Sequence, residues 1–138
     1  LPDTGLFKIN SIYYTFFGIH QLYDILEKTY EVCKELFPNE NPMLANKFLE
    51  FPYLFQNGKL IHTSAVTKKA EAIGFYFIKL TVDNFILFLK THKYPINYIQ
   101  AIEAEKQNLS HMQYDVGLDF YLKNGQFRIK KTAFFGSF

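Results

Sequence analysis

The sequence predicts an α+β domain: a mainly antiparallel sheet of β-hairpins with two helix pairs packed on one face, in the order β-αα-βββ-αα-ββ. Three observations carry this. Asn57-Gly58 and Asn124-Gly125 each sit between alternating runs, and both central residues of a type I′ hairpin turn need positive φ. Apolar residues recur three and four apart from Ile19, and again after Pro95, which is the spacing of one helix face. Hairpins make the strands antiparallel, and the helices between them must bury their apolar sides against the sheet. No linker or low-complexity run divides the 138 residues, so 1–138 is read as a single domain, long enough to bury roughly two thirds of its unfolded surface.

The elements follow in order. Residues 1–5, Leu-Pro-Asp-Thr-Gly, are expected to form a flexible tail. In letters they resemble the sorting signal that sortases cut, but that signal works ahead of a hydrophobic tail and basic residues near a C-terminus. The lack of an initial Met points to processing, or to a domain of a longer chain. Leu6 to Phe17 is rich in β-branched and aromatic residues and reads as a strand ended by Gly18. Ile19, Leu22, Tyr23, Leu26, Tyr30, Cys33 and Phe37 then mark the inward face of an amphipathic helix, with Asp24, Glu27, Lys28, Glu31 and Lys34 toward water. Pro38 stops it. Asn41-Pro42 reads as a cap and first helical position of a short helix to about Glu50, broken by Pro52.

Tyr53 to Thr63 is the first Asn-Gly hairpin, and Ala72 to Leu80 a further strand. Thr81 caps a helix through Lys90 that is apolar nearly all round, hence buried. Pro95 opens another, with Ile99, Ile102 and Leu109 inward and Glu103, Lys106 and Gln107 outward.

The last hairpin carries the one anomaly. A two-residue turn at Asn124-Gly125 pairs Leu122 with Phe127, Phe120 with Ile129, Val116 with Ala133 and Tyr114 with Phe135 on one face. The other face pairs Tyr121 with Arg128 and Asp119 with Lys130. Leu118 then meets Lys131, which sets an ammonium among apolar and aromatic side chains. A buried lysine is costly unless an anion pairs with it. Lys79 raises the same question, since strand alternation puts it on the face of Ile73, Phe75 and Phe77. If both faces point inward, Lys131 and Lys79 lie in an aromatic pocket with Tyr114, Tyr76, Tyr14 and Phe127. Such a site suits a small apolar or aromatic ligand with an anionic group.

Composition supports the aromatic part of that reading. The chain holds 16 Phe and 10 Tyr and no Trp, more rings than a core of this size usually needs, although an AT-rich coding sequence also favours Phe and Tyr. Net charge is +2, from 15 basic and 13 acidic residues, too balanced to imply nucleic acid. Arg128, Lys130 and Lys131 beside Phe127 and Tyr121 could stack and neutralise a single strand, but Asp119 offsets the stripe. The single Cys33 excludes an internal disulfide framework, fits a reducing, cytoplasmic setting, and reads as a buried inert thiol. Lys79, Asp83 and Asn84 interrupt the apolar stretch Ile73 to Leu89, so no membrane span is expected.

No metal is expected, because His20, His62, His92 and His111 lie on different elements without ligand spacing. No phosphate loop, dinucleotide fingerprint or nucleophile elbow is present, so no cofactor is implied. Acid–base chemistry would centre on Asp115, Asp119 or His62.

In element order, a helix pair followed by a β-meander and given twice, the chain resembles the repeated α-β-β-α units of the aromatic prenyltransferase barrel. The resemblance implies a transferase acting on an isoprenoid diphosphate, with strand lysines holding the diphosphate and tyrosines shielding the allylic cation. The chain is about half the length of such a barrel. The competing expectation is a non-enzymatic interaction subunit. Its surplus rings would form an interface, and its apolar end Phe134-Phe-Gly-Ser-Phe138 would pair as an edge strand with a second copy, giving a homodimer.

Overall fold

The computed structural model describes residues 11–16, 21–56, 59–60 and 63–137. In them the chain runs β1 (Ser11–Phe16), α1 (Gln21–Leu36), two 3-10 segments (Pro42–Glu50 and Pro52–Leu54), β2 (Phe55–Gln56) and β3 (Lys59–Leu60). It continues with β4 (Thr63–Lys69), β5 (Ile73–Leu80), α2 (Val82–Thr91), α3 (Ile96–Ala104), the single turn α4 (Lys106–Leu109), β6 (Gln113–Lys123) and β7 (Gln126–Ser137). Five strands make one antiparallel sheet in the order β1-β4-β5-β6-β7, and β2 and β3 pair separately. This is the expected α+β fold with helices packed on the sheet. The outer parts of the expected first strand, Gly18, Ile19 and the Asn57-Gly58 turn lie outside the described residues.

Local chemistry places the ends. Asn41 Oδ1 accepts a hydrogen bond from the Met43 N–H at 3.0 Å, and Pro42 follows it, so the expected cap forms, although the segment winds as a 3-10 helix. Thr81 Oγ1 accepts from the Asn84 N–H at 3.3 Å and opens α2. Asn124 and Gly125 both take positive φ, 53° and 72°, as a type I′ turn requires.

The core lies between the sheet and the helices. Phe75 at its centre meets Phe48 (ring centroids 4.5 Å), Phe120 (4.8 Å) and Phe77 (5.9 Å), and all four are buried. Phe85 stacks on Tyr114 at 4.4 Å, and Phe134 reaches Phe85 and Tyr94.

Three expectations are corrected. First, the expected hairpin ends at Thr63, whereas Thr63–Lys69 is a full strand; it pairs with β1 and β5 and buries Val66 and Thr67. Its Thr, Ser and Lys look like a connector, and the burial comes from lying between two neighbours. Second, α1 exists but is turned. It buries Gln21, Ile25, Thr29, Val32 and Cys33, while Tyr23 and Tyr30 are exposed. Third, β7 holds one residue more than the ladder needs between Phe120↔Ile129 and Asp119↔Lys131. That extra residue, Lys130, is a β-bulge, and every later pair moves by one. Lys131 therefore faces Asp119 rather than Leu118, and Thr132 faces Leu118. Phe134 faces Val116, and Gly136 rather than Phe135 faces Tyr114.

Candidate functional site

Alternation along β6 separates two environments. Tyr114, Val116, Leu118, Phe120 and Leu122 point to the helices and are buried. Asp115, Gly117, Asp119 and Tyr121 point to the other, outer face. Cross-strand register carries this face across the sheet as the row Tyr13–Thr67–Gly74–Asp119–Lys131, with Thr15–Ala65–Tyr76–Gly117–Ala133 beside it.

Asp119 is only 4% exposed although it belongs to the outer face. A buried carboxylate must be paired, and Lys69 does this with its ammonium 2.8 Å from both oxygens. Lys131 adds a second ammonium 3.6 Å from Oδ2. Burial works to lower the Lys69 pKa, but hydrogen bonds to Asp119 and Tyr76 outweigh it, so the net shift is upward and the ammonium is held. The Lys69 ammonium also stands 5.6 Å from the Tyr76 ring centroid.

Tyr76 roofs this pair because two glycines let its ring lie on the sheet. A Cβ at Gly117 would sit 2.8 Å from the ring's Cδ1 and Cε1. One at Gly74 would sit 2.9 Å from Asp119 Oδ1 and 3.2 Å from the Tyr76 ring. Tyr13 continues the aromatic surface, its ring centroid 5.9 Å from that of Tyr76. Two recesses adjoin. One of 240 Å³ is lined by Lys69, Glu71, Ala72, Asp119, Lys130 and Lys131. The other, of 120 Å³, is lined by Tyr76, Gly117, Asp119, Lys131, Ala133 and Phe135. Lys131 borders both and keeps its side chain 67% exposed. Two ammoniums against one carboxylate leave the trio at +1, which one anionic group would balance.

Of the residues expected to share one pocket, the structure brings Lys131 and Tyr76 together here. Lys79 does not join them. The pairing of β5 with β6 slips between Phe77 and Leu80, and Lys79 has φ 63°. Its side chain is exposed, and its N–H donates to Asp115 Oδ1 at 3.2 Å. Tyr114, Tyr14 and Phe127 lie on the helix-facing side. The Tyr114 hydroxyl donates to the Leu109 carbonyl at 3.2 Å, the Lys28 ammonium lies 4.5 Å from the Tyr14 ring, and Phe127 stacks on Phe120 at 4.6 Å. Lys69 was missed altogether. The available signal was Gly74 and Gly117 inside strands, where glycine marks close approach of another group.

A second polar contact lies on the helix side. The Tyr53 hydroxyl and His92 Nε2 are 2.8 Å apart, and Phe51 and Phe88 pack edge-on to the imidazole. Burial pushes the His92 pKa from 6.5 down to about 4 and pushes that of Tyr53 up. Folded His92 is thus neutral where the unfolded chain already takes a proton. Its contribution to stability is complete above pH 6.5, declines as pH falls, and is lost once pH passes about 4. In urea titrations across that window, the wild type is expected to lose more stability than His92→Gln. Parallel pH profiles would show that His92 is not buried as a neutral base.

Cys33 is buried as expected, and burial pushes its thiol up to about 12. His20 and His62 lie outside the described residues. Among the described residues no helix is long and apolar enough to cross a membrane. In comparisons with known proteins, no family model, no curated protein and no solved structure matches this chain.

Proposed function

We propose that this chain is a small-ligand-binding domain whose ligand lies on the outer sheet face, with an anionic group at Lys131 and an apolar or aromatic body against Tyr76. The observation that supports it most is the position of Lys131. The bulge at Lys130 turns its ammonium toward a carboxylate that Lys69 already neutralises, and leaves it bordering both recesses. A closed cavity of about 150 Å³ holds a benzene molecule. The 120 Å³ recess between Tyr76 and Phe135 is open to solvent and suits a single ring. Lys79, Tyr114, Tyr14 and Phe127 have no part in this version of the site. The transferase version needs strands closed around a substrate. The described strands form an open sheet with β1 and β7 at its edges, so binding alone is proposed.

The protein, purified without added ligand, is expected to carry a non-covalent extra mass in native mass spectrometry that is absent under denaturing conditions. Lys131→Ala should lose that mass while keeping its melting temperature, since an exposed lysine 3.6 Å from its partner contributes little to stability. Retention of the same mass by Lys131→Ala would remove the assignment. A second reading, pairing of two copies along β7, is favoured by its place at the sheet edge and by Phe135, 66% exposed. It predicts a bare mass at twice the monomer in the same spectrum.

A further inference from the structure

Strand β7 forms one edge of the sheet, and among the described residues nothing pairs with its free side. Such an edge offers a row of backbone N–H and C=O groups to any extended chain. Native edges usually defend themselves with charge, and β7 does so in one sign only. Its 12 residues include Arg128, Lys130 and Lys131 and no carboxylate. All three are exposed. Lys131 shares Asp119 with Lys69, whereas Arg128 and Lys130 make no ion pair among the described residues.

Recesses flank this edge on both faces of the sheet. Toward the helices, one of 340 Å³ is lined by Thr91, His92 and Lys93 at the end of α2, with Ile129, Lys131 and Thr132. On the outer face lie the recesses of 240 and 120 Å³, and Lys131 borders all three. Side chains of an added strand alternate between the two faces, so its backbone supplies affinity and flanking recesses supply selection. The charged residues lining them are Lys69, Lys93, Lys130 and Lys131 against Glu71 and Asp119; four cations less two carboxylates leave +2. Arg128 adds a further cation along the strand. Pairing two copies about the middle of β7 would gather six cations, three from each strand, along one seam. Charge thus argues against a second copy and for an acidic chain. A nucleic acid has no peptide backbone to complete the ladder, and Phe127, the ring nearest these cations in sequence, already packs on Phe120 and Phe51.

We infer that β7 receives an acidic, extended segment of a partner protein as a sixth strand of the sheet. Its Asp or Glu side chains lie toward Arg128, Lys130 and Lys131, and its apolar ones toward Ile129 and Thr132. This edge shares only Lys131 with the proposed ligand site and does not depend on that reading. The test uses a fluorescein-labelled peptide of about eight residues alternating Glu with Val, long enough to run from Arg128 to Phe135, followed by fluorescence anisotropy. One control carries Lys in place of Glu. Two others carry N-methyl groups at alternate residues, in opposite phases, so that one turns them to β7 and the other to solvent. The acidic peptide is expected to bind, the lysine peptide not, and only one of the methylated pair. Arg128→Gln/Lys130→Gln should weaken binding about tenfold. Its circular dichroism melt should be unchanged, since both side chains are exposed and free of ion pairs. Lys131 stays in place in this variant, so its native mass spectrum reports on the ligand site separately. No binding of the acidic peptide, equal binding of both methylated peptides, or full affinity in the variant would overturn the proposal. So would tighter binding of a single-stranded oligonucleotide than of the peptide, or a self-association that excludes the peptide, since the edge would then belong to nucleic acid or to a second copy.

Discussion

Phe75→Ala is expected to be the most damaging single truncation, lowering the unfolding free energy by about 3–5 kcal/mol. Phe75 is fully buried on the central strand of the sheet and touches three other buried rings, Phe48, Phe77 and Phe120. Removing it takes contacts away from the 3-10 segment that covers the sheet and from two neighbouring strand positions at once. The surroundings have little means of collapse, because Phe77 and Phe120 are pinned by strand pairing to Val116 and Ile73. Chemical denaturation monitored by circular dichroism should show a lower midpoint with an unchanged slope. A loss below about 1 kcal/mol would mean that the ring cluster repacks and is not the core's centre.

The second large effect comes from the outer face. Lys69→Met should cost about 2–3 kcal/mol, less than a fully enclosed pair because Lys131 stands near enough to compensate in part. The cause is the carboxylate left behind: Asp119 is 4% exposed and would have only Lys131, 3.6 Å from Oδ2, as its partner. Replacing both residues, Lys69→Met with Asp119→Leu, should return stability to within about 1 kcal/mol of wild type. A buried pair is worth little against an apolar substitute, although breaking it is expensive. If the double variant is as unstable as the single one, the pair holds the strands together rather than merely satisfying itself. Thermal melts of the three proteins decide this.

Much of the architecture was legible because it is local. Asn124-Gly125 named its turn and the three pairs Leu122–Phe127, Tyr121–Arg128 and Phe120–Ile129 beside it, and Asn41, Thr81 and Pro95 marked their helix starts. What escaped depended on distant partners. Tyr23 and Tyr30 fall on the face that the apolar spacing turns inward, yet both are exposed, while Gln21 and Thr29 are buried beside Ile25, Val32 and Cys33. A helix is seated by the shape beneath it, and small or slender side chains suit close approach. Lys130 could not be singled out as a bulge, since neighbouring lysines are interchangeable to pattern reading. Its symptom was nonetheless visible, as a lysine where the alternation demanded an apolar residue. The Lys69–Asp119 contact joins residues 50 apart in sequence, and only the two strand glycines hinted that something presses close there.

The bulge at Lys130 also makes the length of β7 as informative as its composition. Surface loops usually accept insertions and deletions, and an edge strand near the end of a chain looks equally permissive. Here the extra lysine absorbs a slip: were Lys130 to take a regular place opposite Asp119, everything beyond it would exchange sides. Phe134, now packed against Phe85, Tyr94 and Tyr98, would turn to water, and Phe135 would be driven into its place. Lys131 would return to the side of the rings. Deleting Lys130, by contrast, leaves Asp119 opposite Lys131 and Val116 opposite Phe134, so a related chain that keeps this sheet without the bulge should be one residue shorter between Asn124 and Phe134.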